Sequence, residues 1–336
     1  MPARQRIRAG FSYSDRIAPL LDGSVSDAGL DLEIRLDAAA SIFRQAREEG
    51  GFDVAEMSLA THCMAVARRE RDFVGLPIFT SRMFRHHAIY VHGDRIRSPR
   101  QLAGKRIGLV NYASTTAVWL RGILAEHHGL DPREVTWCVG GADGGPAAGP
   151  ASAGTREAAV VPADVKHIPV ASEVGLLDLL QRGDVDAVIS PGLAPQAHRA
   201  VRELRSLFDP AQAAERAYFR ATGIFPIMHL CVLRSAVHAR LPDLAPRLFR
   251  LFEDARRVAQ ARLDHTDLAP VMLPWCQYAR DPDFNALPGH GWAHGVESNR
   301  QCLSTFLRYL REQGLLSAPL DQEEIFIKDI PGGWSQ

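Results

Sequence analysis

Neither sign of charge is in excess in this sequence: lysine plus arginine and aspartate plus glutamate both total 39, for a formal net charge of zero. Without an overall field, neither nucleic acid nor an anionic membrane surface is expected as a partner. No stretch reaches the roughly eighteen apolar residues of a membrane span. Met1 to Gly10 holds basic residues, but the apolar run of a signal peptide does not follow, so a cytoplasmic protein is expected. Cysteine is scarce. The five present (Cys63, Cys138, Cys231, Cys276 and Cys302) are scattered and lack CxxC spacing, so they are expected to be reduced. P-loop, GxGxxG and GxSxG patterns are missing, which removes the motif basis for nucleotide binding, dinucleotide binding and serine-hydrolase chemistry. No organic cofactor is indicated, and a divalent metal is left open.

What the 336 residues do hold is an ordinary globular mixture, 46% apolar and 23% charged, long enough for two cores. Ile7–Ala9 and Leu30–Leu36 read as strands, residues 41–49 as a helix, and Phe52–Met57 as a short strand that passes through Ser58 into a helix ending near Arg68. Glu56 and Ser58 then fall at a strand carboxyl end and a helix amino end, where open α/β sheets place ligands. Gly75–Pro77 reads as a turn. Phe84–Val91 reads as a strand with a polar centre, the kind of local inconsistency expected at functional sites.

A second α/β run begins with a strand at Gly104–Val110 and a polar turn at Ser114, Thr115 and Thr116. A helix carrying Ala117, Leu120, Ile123 and Leu124 follows, then a strand at Val135–Val139. Residues 140–164, rich in Gly, Ala and Pro, read as a long loop or flap, the plainer alternative being a surface insertion. A helix through Val174, Leu177 and Leu180 stops at Gly183, and strands follow at Asp184–Ile189 and Phe225–Leu233. Two long helices, 244–263 and 302–310, are expected to cover the first lobe.

This order predicts an α/β protein of two lobes: residues 1–94 plus 226–336 for a discontinuous first lobe and 95–225 for the second. Two crossings between them predict a hinge and an interlobe cleft for a small ligand.

Several blocks are specific enough to place the chain. Pro19-Leu20-Leu21-Asp22-Gly23, Phe52-Asp53-Val54-Ala55-Glu56-Met57-Ser58, Pro77-Ile78-Phe79-Thr80-Ser81-Arg82-Met83-Phe84-Arg85-His86 and Ile224-Phe225-Pro226-Ile227-Met228-His229 resemble the 4,5-dihydroxyphthalate decarboxylase family. Ala117 to Gly122, Asp186 to Ile189 and Gly295 to Arg300 extend the likeness over nearly the whole chain outside the Gly/Ala-rich loop. One departure is Ala293-His294-Gly295, where an aromatic Tyr is expected before Gly-x-Glu-x-Asn. The resemblance implies a two-lobed fold of the type II periplasmic-binding-protein kind. It also implies conversion of 4,5-dihydroxyphthalate, or a related hydroxylated aromatic diacid, to the monoacid and carbon dioxide. Because that fold also serves transport, a non-catalytic binding protein for an aromatic or small carboxylic acid is the alternative.

Arginine presents a planar fork of donors that matches a carboxylate, so Arg82 and Arg85 are candidate receptors for the aromatic carboxylate, unless they pair with Asp or Glu. Strand alternation would set Arg85 and His87 on one face and His86 on the other. Loss of carbon dioxide needs a proton delivered to the ring carbon that carried the carboxylate. His86, His87 and His229 are candidates for that acid, and Glu56 for accepting the ring hydroxyl proton. Arginine should hold the carboxylate that stays, since gripping the departing one would stabilise the reactant. Trp119 and Phe225 are candidate apolar walls, with core packing the alternative for Trp119. Ser58 and Asn299 join the substrate-binding set, as do Ser114, Thr115 and Thr116, which could equally be simple helix caps. His290 and His294 have metal-pair spacing, but the surrounding glycines argue against a helix there. An oligomer is left open.

Overall fold

The computed structural model describes residues 4–49, 51–93, 95–142, 160–192, 203–265, 267, 271–272, 291–328 and 330. In chain order the strands are β1 (Gln5–Phe11), β2 (Leu30–Leu36), β3 (Val54–Ser58), β4 (Phe73–Arg82), β5 (Ile89–His92), β6 (Arg106–Leu109), β7 (Thr136–Ala142), β8 (His167–Gly175), β9 (Ala187–Ile189), β10 (Leu204–Ser206) and β11 (Ile227–Arg234). They form a five-stranded sheet, β2-β1-β3-β11-β4, and a six-stranded one, β10-β5-β9-β6-β7-β8. Each sheet belongs to one of two compact units. The first comprises Met1–Arg82, Ile227–Leu303 and Asp321–Gln336, the second Met83–Pro226 and Ser304–Leu320.

In the first unit β1 pairs in parallel with both β2 and β3, while β11 runs antiparallel to β3 and β4. Ile7, Ala9 and Phe11 alternate along β1, so one face of the strand is apolar. Leu244, Leu248, Leu251 and Phe252 recur at helical spacing on Leu244–Asp264 and pack against that face, with the Phe11 and Phe252 rings 5.2 Å apart. Gly75 and Pro77, expected in a turn, lie inside β4. A Cβ on Gly75 would sit 2.2 Å from the Ile325 carbonyl oxygen, so the glycine serves a close backbone approach. The β4–β11 register also shifts beside this stretch, between His229 and Cys231, where a ladder can accommodate a proline.

In the second unit β6 pairs in parallel with β9 and β7, and β7 with β8, while β5 runs antiparallel to β9 and β10. Helix Leu176–Arg182 buries Leu176, Leu177 and Leu180 with Cys138 and Val188, and ends at Gly183 in the left-handed region, as its sequence predicts. Phe84–Val91 is not one strand. A 3-10 turn, His86–Ala88, precedes β5, so the alternation expected for Arg85, His86 and His87 does not apply. Helix Arg300–Glu312 differs too: residues 304–320 cluster with the second unit rather than covering the first. Phe306 and Tyr309 pack on the fully buried Trp119, at 5.1 and 5.7 Å between rings, and Gln313 accepts from Arg121 Nε at 2.8 Å. The units therefore divide at 82/83, 226/227, 303/304 and 320/321, where the sequence suggested only 94/95 and 225/226.

Cys63, Cys138, Cys231 and Cys302 are buried free thiols. Cys276, His290 and most of the 140–164 loop, residues 143–159, lie outside the described residues. Among the described residues no helix is long and apolar enough to cross a membrane.

Candidate active site

The parallel strands of the first unit bring their carboxyl ends to one edge of its sheet. Ser12 follows β1, Glu56 and Ser58 close β3, and Thr80 to Arg82 close β4; β11 enters there at its amino end, with His229 opposite Ser58 and Ser81. Every residue of β3 is buried, so Glu56 is taken out of water by its place in the sheet. A buried carboxylate persists only if it is paired and hydrogen-bonded. Three groups answer that need. His229 Nδ1 lies 2.6 Å from Oε1, the Thr80 hydroxyl donates to the same oxygen at 3.3 Å, and the Ser12 backbone N–H donates to Oε2 at 2.8 Å. Burial raises the Glu56 carboxyl, but the His229 charge, its hydrogen bond and the bonds from Ser12 outweigh it and bring the pKa down to about 2.

An ionised carboxylate only accepts, so His229 donates from Nδ1, which fixes its ring and leaves Nε2 as the second nitrogen. The Phe43 ring meets the imidazole edge-on at 4.9 Å. The histidine side chain is 19% exposed and the glutamate 3%, so of the pair only His229 is open to a ligand. The expectation that Glu56 takes a substrate proton is thereby corrected. Both its oxygens are occupied within the protein, and a carboxyl at about 2 is a weak base.

Sequence reasoning missed Arg16 and Thr80. The Arg16 guanidinium carbon lies 3.7 Å from the centre of the Trp292 ring; one terminal nitrogen contacts Asp15 at 2.6 Å, and the other donates to the Thr80 carbonyl at 3.2 Å. The signal that could have found it is an arginine just beyond the carboxyl end of a central parallel strand.

Three of the expected substrate contacts are committed inside the unit. Arg82 is buried, donating to the Ala293 carbonyl at 3.1 Å and to Asn299 Oδ1; burial pushes its pKa down to about 10. Asn299 in turn donates to the carbonyls of Ala293 and Gly295, at 3.0 and 2.7 Å. Together they hold the 293–299 segment, which leaves little for a ligand. Ser58 caps helix Leu59–Ala67, accepting from the Thr61 N–H at 3.4 Å. His294 accepts from the Phe79 N–H at 3.1 Å and is kept neutral by burial, with a pKa near 3.

The second unit holds the remaining candidates. His86 is 1% exposed between the rings of Phe208 and Tyr218. Burial, countered in part by Glu215, lowers it to about 4. A histidine neutral at rest does not store the proton that a general acid gives up. His87 pairs with Glu215 at 3.2 Å. Among the described residues, Arg85 has its buried Nε without a hydrogen-bond partner and no ion pair, although the Glu215 charge attracts it from a distance, a state suited to an incoming carboxylate. Phe84 and Phe225 lie beside each other, their ring centres 5.0 Å apart. Ser114 caps helix Thr115–His128 through the Ala117 N–H at 3.3 Å, and Thr115 and Thr116 are buried in its first turn. Trp119, 0% exposed against Phe306 and Tyr309, is core and not a ligand wall. Among the described residues, no group of three or more His, Cys, Asp or Glu side chains is placed to hold a metal ion.

The comparison that decides the family is with 4,5-dihydroxyphthalate decarboxylase of Comamonas testosteroni, 30% identical over 316 residues and covering 93% of both chains. The chain belongs to the 4,5-dihydroxyphthalate decarboxylase family. A second member, from Pseudomonas putida, is 34% identical over 209 residues, 61% of this chain and 78% of that one. Residues 25–148 match the family described as NMT1/THI5 like. Among solved structures, the periplasmic aliphatic sulphonate binding protein SsuA from Escherichia coli aligns over 96% of this chain and 98% of its own, with a TM-score of 0.53 and 12% identity. The alkanesulfonate-binding protein SsuA from Xanthomonas axonopodis pv. citri, bound to MOPS, aligns over 95% and 96% with a TM-score of 0.52 and 13% identity. At such identity the likeness is one of fold, and it gives this decarboxylase-family chain the α/β periplasmic-binding-protein fold expected from its sequence.

Proposed function

We propose that this protein is a carboxy-lyase that removes one carboxylate from 4,5-dihydroxyphthalate, or from a closely related hydroxylated aromatic diacid, with His229 as the proton carrier. The observation that carries the reading is the Glu56–His229 pair, a buried carboxylate orienting a partly exposed imidazole, in a chain of this family. The ring hydroxyl para to the departing carboxylate feeds electron density to the carbon that bears it. His229 delivers a proton from Nε2 to that carbon; the bond to the carboxylate then breaks, its electron pair restores the aromatic ring, and carbon dioxide leaves. The diacid plus one proton becomes the monoacid plus carbon dioxide, and His229 recovers its proton from solvent. Glu56 compensates the charge of the imidazolium and fixes its tautomer, as a positioning residue.

The test is to incubate the purified protein with 4,5-dihydroxyphthalate, with and without chelator, while carbon dioxide and the monoacid are followed. Turnover in the wild type that falls by about 10²–10⁴ in His229→Gln, with the diacid still bound, is the expected result. Turnover that survives the substitution removes His229 from the mechanism. Tight binding with no turnover in the wild type makes the protein a receptor, and loss on chelation brings a metal into the reaction.

A further inference from the structure

We infer that Arg16 holds the carboxylate that the substrate keeps; this rests on the decarboxylase reading above. The residue is linked through its neighbours to both carboxylate oxygens of Glu56. Ser12, at the start of its loop, donates its backbone N–H to Glu56, and Thr80, whose carbonyl accepts from Arg16 at 3.2 Å, donates its hydroxyl to the same carboxylate. A diacid brings two negative charges to a place that already buries one, so a cation beyond His229 is required. Arg82 is committed to Ala293 and Asn299, whereas Arg16 lies near enough to Glu56 for their charges to attract.

Its setting fits the task. Stacking on Trp292 holds the guanidinium flat at 3.7 Å, and Nε is buried with no hydrogen-bond partner among the described residues. Asp15 neutralises only one terminal nitrogen, and its side chain is 43% exposed and screened by water. The inference also assigns which carboxylate is held. A guanidinium bonded to the departing group would stabilise the reactant and slow its loss, whereas one on the retained group anchors substrate and product alike.

Dissociation constants for 4,5-dihydroxyphthalate, 3,4-dihydroxybenzoate and catechol, read by ligand-observed NMR, separate the possibilities. The diacid is measured in the His229→Gln background so that it is not consumed. Arg16→Gln should weaken the diacid and the monoacid by the same factor, about 10- to 100-fold, and leave catechol unchanged. Arg16→Lys, which keeps the charge but not the fork, should fall between and covers the case that the glutamine variant does not fold. Loss for the diacid alone would put Arg16 on the departing carboxylate, and equal loss for all three would make it structural; either overturns the inference. So would unchanged constants, or the same pattern from Arg85→Gln in its place. Wild-type turnover, measured separately, tells these failures from failure of the decarboxylase reading itself.

Discussion

A single buried carboxylate sets much of the behaviour expected at the scale of residues. Glu56→Gln keeps the shape and a hydrogen bond to His229 but removes the charge that compensates the imidazolium and fixes its tautomer. The turnover number should drop about 10²–10⁴-fold with KM within a few-fold, and the Thr80→Val variant, which loses one neutral bond to Glu56, should fall by less than tenfold. Steady-state kinetics on the two variants decides it, and a rise in KM with unchanged turnover number would count against the assignment. The same group predicts a pH dependence of stability. Its folded pKa is depressed from 4.5 to about 2, so the stabilisation is present above 4.5 and is lost as the pH falls toward 2. His86, lowered from 6.5 to about 4, acts earlier in the descent: the unfolded chain takes up its proton first, so stability falls between these values. Denaturation midpoints measured from pH 7 to 3 should decline through both windows, and His86→Phe should make the upper decline shallower, leaving the part that the buried His294 contributes. Glu56 was legible in the sequence as a carboxylate at a strand's carboxyl end, and His229 as one of three histidines able to supply a proton. Their union was not, because 173 positions separate them and a diagonal contact depends on register. Core packing, one of the two readings open for Trp119, is what the structure shows, whereas Asn299 was read as a ligand contact because an amide that holds a loop looks the same in a sequence as one that meets a ligand.

Among elements, those that follow a single period were the most legible. Helix Leu244–Asp264 and strand β1 declare their apolar faces by spacing alone, and the contact between them closes the core of the first unit. Phe252→Ala should remove about 3–5 kcal/mol of stability while sparing residual activity at low temperature, as measured by urea denaturation; a loss below about 1 kcal/mol would mean that the ring is not a core contact. The misread elements are those in which backbone approach or pairing overrides residue preference. Gly75 and Pro77 sit in a strand because the Ile325 carbonyl leaves no room for a side chain at Gly75 and because the pairing with β11 is irregular there. Apolar residues around Arg85 to His87 suggested a strand, but a 3-10 turn sets His86 among Phe208 and Tyr218.

For the molecule as a whole, two α/β units and their order along the chain were readable, while the return of residues 304–320 to the second unit was not, since nothing in a helix's own period says which sheet it serves. The placement of β11 between β3 and β4 carries a consequence for synthesis. Both neighbours leave the ribosome well before it, with the whole second sheet made in between, so the nascent first unit waits with two unpaired strand edges until residue 234 has emerged. A chain stopped at Pro226 should show no hydrogen-exchange protection of the β3 amides on the edge that β11 covers; protection there would mean that the sheet can close without β11. Because the same late strand delivers His229 to Glu56, enzymatic activity should appear in a translating or refolding sample no earlier than that protection, so catalysis itself reports that the sheet has closed.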